Sequence, residues 1–143
     1  MKLGPILFPL ALALAASMPS AHADTVVVAN AKSGVLRLTR DDVIKIYLGR
    51  YRLLSSGIGA EPIDLPDDAP LKEHFYRHLV NKSLAEINAY WARLIFSGKT
   101  QPPIMLPSSD EALKIVMRRP GALAYVDRSK VGEHLTIVYE LGD

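Results

Sequence analysis

Two histidines four residues apart, His74 and His78, are the first feature with the spacing for chemistry. On a helix that spacing sets two imidazoles on one face, within reach of a single metal ion. The residues between them are Phe75, Tyr76 and Arg77, so the glutamate base of the H-E-x-x-H pattern is missing. No third ligand is evident, and a solvated or half-buried helix face accounts for the pair. His134, beside Glu133, reads as an exposed loop residue. A serine nucleophile needs a base and an orienting acid. Ser33-Gly34, Ser55-Ser56-Gly57 and Ser97-Gly98 lack the G-x-S-x-G elbow and read as loop and cap serines. The carboxylate pairs Asp41-Asp42 and Asp67-Asp68 stand where helices begin, so capping explains them better than acid–base catalysis. No Gly-rich phosphate loop is present. The expectation is a chain without catalysis, cofactor or metal.

Helix N-termini offer unpaired backbone N–H groups that can hold an anion. Three are expected here, after Thr39, after Asp68 and after Ser108. At Asp67-Asp68 a local carboxylate already takes that role and repels an anion. The candidate ligand-binding residues at these helix starts are therefore Ser108 and Ser109, at the start of the third.

The elements that would position these groups follow from periodicity and punctuation. Thr25–Asn30 is β-branched and reads as a buried strand. Thr39 caps a helix whose Val43, Ile46 and Tyr47 share a face and which Gly49 ends. Residues 50–60 hold Ser55-Ser56-Gly57 and Gly59 and are expected to form a mobile loop. A short strand over 61–65 leads to a helix capped by Asp67 or Asp68, with Pro70 in its first turn and Leu71, Phe75 and Leu79 facing the core. Ser83 and Glu86 have capping-box spacing and open a helix with Leu84, Ile87, Trp91, Leu94 and Ile95 on one apolar stripe, stopped by Gly98. Pro102-Pro103 forces an extended entry to a strand over 104–106. Ser108 and Glu111 form a second box-like pair before a helix that buries Leu113, Val116 and Met117. Strands over 122–126 and 135–139 follow, with a turn over 127–130. They stand too close for a helical crossover, so antiparallel pairing of the two is expected. Strands alternating with helices favour an α/β fold.

Composition narrows the function classes. Lys2, an apolar run over 6–16 and Ala21-His22-Ala23 before Asp24 have the pattern of a cleaved secretory signal peptide over 1–23. Removing it from the 143 residues leaves 24–143 as one domain. Of 17 basic residues Lys2 goes with the leader, so 16 face 15 acidic ones, which gives no electrostatic case for nucleic acid. With no cysteine there is neither a disulfide nor a thiolate zinc site. Nothing after Ala23 is long and apolar enough to span a membrane directly.

The ordered set of segments resembles a known family. Leu38-Thr39 through Ile46-Tyr47-Leu48-Gly49-Arg50 is similar to the "LT…I(F/Y)LG" segment of the phosphate-type substrate-binding proteins of ABC transporters. Phe75, Tyr90-Trp91, Phe96-Ser97-Gly98-Lys99 and Pro102-Pro103 follow in the family's order. Ser108 to Val116 and Pro120-Gly121-Ala122-Leu123-Ala124-Tyr125-Val126 resemble its "S…E…V…PGAIGYV" ending. The likeness extends over 26–138 and implies an α/β fold, a single lobe of a type II periplasmic binding protein with a mixed sheet flanked by helices.

Full family members close two lobes on an anion, whereas this chain is long enough for roughly one, and it resembles the second. The family's second lobe holds phosphate with an arginine and a Ser-Gly-Thr at a helix start. Those positions fall here on Leu65 and on Ala69-Pro70-Leu71, which leaves Lys72 as the cation. The resemblance thus implies an exported, periplasmic, non-enzymatic binding protein with a degenerate phosphate motif. Its partners would be an anion or small solute, a protein or a second copy. The competing expectation is a genuine solute-binding module that completes its site with a second copy or another protein. Mass spectrometry of the protein from an exporting host should find Asp24 as the first residue; an intact N-terminus in the membrane fraction would contradict the signal-peptide reading.

Overall fold

The computed structural model describes residues 2–5, 24–98 and 100–142, so most of the expected leader lies outside the described residues. In chain order the elements are β1 (Thr25–Asn30), α1 (Arg40–Tyr47), β2 (Glu61–Asp64), α2 (Pro70–Val80), α3 (Leu84–Ser97), β3 (Ile104–Met105), α4 (Ser109–Arg118), β4 (Ala122–Asp127), a 3-10 turn (Arg128–Lys130) and β5 (Leu135–Glu140). The strands form one mixed sheet in the order β3-β2-β4-β1-β5. β2 runs parallel to β3 and β4, and β1 runs antiparallel to β4 and β5.

Strand alternation divides the core into two layers. Val27, Ala29, Leu123, Tyr125 and Val138 face α1, α2 and α3. Val26, Val28, Ala122, Ala124 and Val126 face the other way and pack with Ala112 and Val116 of α4. The small residues of β4 on that side let a helix approach closely. Asn30 ends β1 and its Nδ2 donates to the Val116 carbonyl at 2.8 Å, satisfying one of the acceptors that a helix C-terminus leaves open.

The local signals translate well. Thr39 and Ser83 each make a full capping box. Ser108 caps α4 by accepting from the Glu111 N–H at 3.2 Å. Gly49, at φ +76°, follows α1; a Cβ there would lie 2.9 Å from the Trp91 ring and 2.8 Å from the Thr100 hydroxyl. Gly121 is tighter still, because a Cβ would fall 1.9 Å from the Gly59 carbonyl oxygen.

Several expectations are corrected. The N-cap of α2 is Ala69, with no side-chain bond, so neither Asp67 nor Asp68 caps it. β4 and β5 do not pair with each other, because β1 lies between them. They are therefore parallel, and the connection between them crosses the sheet with only a 3-10 turn, its Val131 packed on the α4 layer. Ile95 and Met117 have the right helical phase but are 56% and 53% exposed. Residues 50–60 double back through Leu54 N–H to Ile58 O and Ala60 N–H to Arg52 O, and Leu54 is buried.

Trp91 is 7% exposed and seats α3 against the end of α1, beside Tyr90, whose hydroxyl donates to the Leu48 carbonyl at 2.6 Å. Trp91→Ala is expected to cost about 3–5 kcal/mol, the range for large buried side chains. Among the described residues the indole N–H meets no acceptor, so Trp91→Phe should cost less. Denaturant melts of both variants measure this; a loss under about 1 kcal/mol for the alanine variant would show that the ring is not an anchor.

Candidate functional site

The carboxyl ends of parallel strands are where open α/β sheets hold ligands, at the point where successive connections leave to opposite faces. That point lies here between β2 and β3. The chain leaves β2 for α2 on one face and leaves β3 for α4 on the other. The Leu106 N–H donates to the Asp64 carbonyl at 3.0 Å, which ties the two strand ends together.

Asp64, the last residue of β2, is only 5% exposed. A buried carboxylate is costly unless donors surround it. The Tyr76 hydroxyl donates to its Oδ2 at 2.6 Å, the Tyr125 hydroxyl donates to its Oδ1, and the Leu65 N–H reaches Oδ1 at 2.9 Å. Lys72, 3% exposed, lies 3.8 Å from the same carboxylate. Its stronger partner is Asp67, at 2.7 Å. The second oxygen of Asp67 accepts from Asn88 of α3 at 2.8 Å. The helical spacing explains the arrangement: Lys72 and Tyr76 are one turn apart on the face of α2 that meets the sheet.

Aromatic packing holds this cluster in place. Phe75 stacks on Tyr125 at 4.0 Å and 10°, and Tyr47 meets Phe75 edge-on at 4.9 Å. Burial first, and then the Asp64 charge, push the Tyr76 and Tyr125 hydroxyls well above the usual phenol range. Both tyrosines therefore remain proton donors to Asp64 and cannot act as bases at neutral pH.

The three candidate residues sit in two places. Lys72 faces Asp64 and Asp67 inside the cluster. Ser108 is the N-cap of α4 and Ser109 is that helix's first residue. The α4 start also carries Asp110, paired with Lys130 at 2.8 Å, and Glu111, paired with Lys114 at 3.0 Å. Both helix starts thus have carboxylates at hand. A cavity of about 730 Å³ lies at the opposite end of β2, lined by Tyr51, Glu61, Ile95, Pro103 and Ile104 among others; none of Lys72, Ser108 and Ser109 lines it. The ring centroids of His74 and His78 lie 4.1 Å apart with the planes tilted by 36°, and among the described residues no three metal-ligating side chains cluster.

Asp64, Tyr76 and Tyr125 were missed in the sequence. An acid ending a short strand was the available signal for Asp64. Nothing local marks Tyr125, which is 61 positions away from it.

No family model matches the chain, and no curated sequence does. Solved structures do. An ABC-type phosphate transport receptor from Vibrio cholerae superposes with a TM-score of 0.64 at 13% identity, over 80% of this chain and 45% of that one. A putative phosphate ABC transporter substrate-binding protein from Clostridium perfringens, solved with bound phosphate, gives 0.65 at 15% identity, over 80% of this chain and 44% of that one. The chain therefore spans less than half the length of these neighbours. At such identities the likeness is one of fold alone, a mixed α/β sheet flanked by helices.

The cluster makes a testable division between its two carboxylates. Lys72→Met leaves Asp64 buried beside no cation, and a loss of about 3–5 kcal/mol is expected in urea melts. Asp67 is half exposed, so Asp67→Asn should cost no more than about 1 kcal/mol. The Lys72 ammonium, and then the Asn88 amide, hold the Asp67 carboxyl below its ordinary value of 3.8. A carboxyl lowered by folding stabilises above its unfolded value, and that share drains away as pH falls through the lower folded value. Melts followed from pH 6 down to about 3 should therefore show a shallower acid loss in Asp67→Asn than in the parent.

Proposed function

We propose that this chain is an exported, periplasmic, non-enzymatic binding protein on the scaffold of the phosphate-type substrate-binding proteins, with that family's anion chemistry lost. One observation carries the reading. The cation at the ligand-binding edge, Lys72, is buried and already faces two carboxylates of its own chain, Asp67 at 2.7 Å and Asp64 at 3.8 Å. Around it the start of α2 carries Ala69 without a side-chain cap and Pro70 without an N–H. A phosphate dianion arriving there would meet two resident carboxylates and one matched ammonium. The recognised molecule is then a protein partner or a solute of different chemistry.

The fold neighbours support a second reading, because the Clostridium perfringens structure holds phosphate. On that reading the chain is an anion module whose missing wall comes from a second copy or another protein, with Ser108 and Ser109 at the start of α4 contributing. Calorimetry with inorganic phosphate at low ionic strength, where screening is least, separates the two. The expected dissociation constant is no tighter than about 1 mM, roughly −4 kcal/mol. Micromolar binding that disappears in Ser108→Ala, or in Lys72→Met with the fold retained, would overturn the first reading in favour of the second.

A further inference from the structure

Residues 37–55 enclose a second cavity, of about 370 Å³, whose apolar walls are Leu38, Ile46, Tyr51, Leu53 and Leu54. That volume stands at the small end of the range for pockets that hold small molecules. Leu38, Ile46 and Leu54 are buried, whereas Tyr51 and Leu53 are exposed. Three bonds hold the walls. The Leu38 N–H donates to the Val138 carbonyl of β5 at 2.8 Å, and the Leu54 N–H to the Ile58 carbonyl at 2.8 Å. The Ser56 hydroxyl donates to the Ser33 carbonyl at 2.6 Å, which ties residues 50–60 to the segment before α1.

Two charged side chains of opposite sign line this cavity, Arg37 and Asp42. Among the described residues neither is in an ion pair, with the other or with a third group. Asp42 completes the cap of α1, where its Oδ2 accepts from the Thr39 N–H at 2.9 Å, and its Oδ1 is left over. The remaining charges of α1 are engaged elsewhere. Lys45 pairs with Asp41 at 2.6 Å and lies 5.0 Å from the centre of the Tyr51 ring, and Arg40 donates to the Leu79 carbonyl at 2.5 Å. The cavity therefore presents one guanidinium, one carboxylate and an apolar wall, with the two charges not closed on each other.

We propose that this cavity takes a free α-amino acid with an apolar side chain, its carboxylate on Arg37, its ammonium at Asp42 and its side chain among Leu38, Ile46, Leu53 and Leu54. The inference rests on the binding-protein reading above, on the side of it in which the recognised molecule is a solute of different chemistry. An α-amino acid carries both charges on one carbon, with the side chain on the same carbon, so one small molecule meets all three features of the cavity. A guanidinium fork matches a carboxylate through two parallel bonds, and a carboxylate oxygen accepts from an ammonium. Charge disfavours the other occupants. Phosphate would satisfy Arg37 alone and be repelled by Asp42. An uncharged apolar molecule would fill the walls while drying two charged groups that it cannot pair.

Calorimetric titration of the full chain with L-leucine and L-phenylalanine tests this, alongside leucinamide, N-acetylleucine and inorganic phosphate. Both amino acids are expected to bind. Leucinamide and N-acetylleucine, which each lack one of the two charges, should bind about tenfold more weakly or worse. Arg37→Gln and Asp42→Asn should each weaken leucine by about tenfold or more. Circular-dichroism melts should leave both variants folded, because Arg37 is exposed and asparagine keeps an oxygen for the Thr39 N–H. The two blocked ligands read out the same contacts in the unaltered chain. Leucinamide or N-acetylleucine binding as tightly as leucine would overturn the proposal, and so would undiminished binding by either variant. Failure of both amino acids to bind, with phosphate also failing, would overturn this inference alone and leave a protein partner as the recognised molecule. Micromolar phosphate binding with no amino-acid binding would overturn it together with the reading on which it rests.

Discussion

A carboxylate taken out of water obliges the chain to surround it with donors, and the carboxylate of Asp64 draws them from helix and sheet alike. Tyr76 comes from α2, Tyr125 from β4 and the Leu65 N–H from the strand's own exit. Each bond restricts the element that makes it. α2 cannot turn about its axis without withdrawing Tyr76 and Lys72 together, and β4 cannot slip by one residue without sending Tyr125 to the opposite face. Tyr47 extends the constraint to α1, since its hydroxyl donates to the Ile63 carbonyl at 3.0 Å while its ring packs on Phe75. Leaving such a buried acid with an incomplete shell costs more than a lost surface contact does, so this corner is the least negotiable part of the molecule.

The same bonds set the chemical character of the carboxyl end of β2. In an anion receptor the donors converge on an empty place that the incoming charge fills. Here they converge on a resident charge, and the nearby ammonium is matched as well. The backbone shares its fold with the phosphate transport proteins, while the side chains at this strand end pair with one another. A fold hosts a function only through such side chains.

Much of this was legible in the amino-acid order, because helix starts, glycine stops and strand composition are local signals. Thr39, Ser83 and Ser108 each cap the helix assigned to them. The failures share one physical origin, which is that they depend on residues distant in sequence. Ile95 continues a buried stripe in phase, yet the stripe runs past the elements that cover it. β4 and β5 stand near each other in sequence, yet a strand from the other end of the described chain separates them. Asp67 has the type and position of a cap, but Lys72 and Asn88 compete for its oxygens and hold it elsewhere. Lys72 was singled out from the sequence, and the structure places it beside Asp64 and Asp67. The cluster around Asp64 was not legible, because it depends on Tyr125, 61 positions away.

The place of β1 in the sheet has a kinetic consequence. The first strand is the partner of the last two: Val26 pairs with Val126 on one side and with Glu140 on the other. Both ladders close loops of about a hundred residues, whose entropy is lost before the contacts reward it, and topologies dominated by such pairings fold slowly. Until residues near 140 are available, β1 has at most one neighbour and an open hydrogen-bonding edge of wholly buried type, Thr25–Asn30. A chain still being made would therefore hold this apolar strand with at least one open edge until residues near 140 follow, exposed over that interval to pairing with a neighbour.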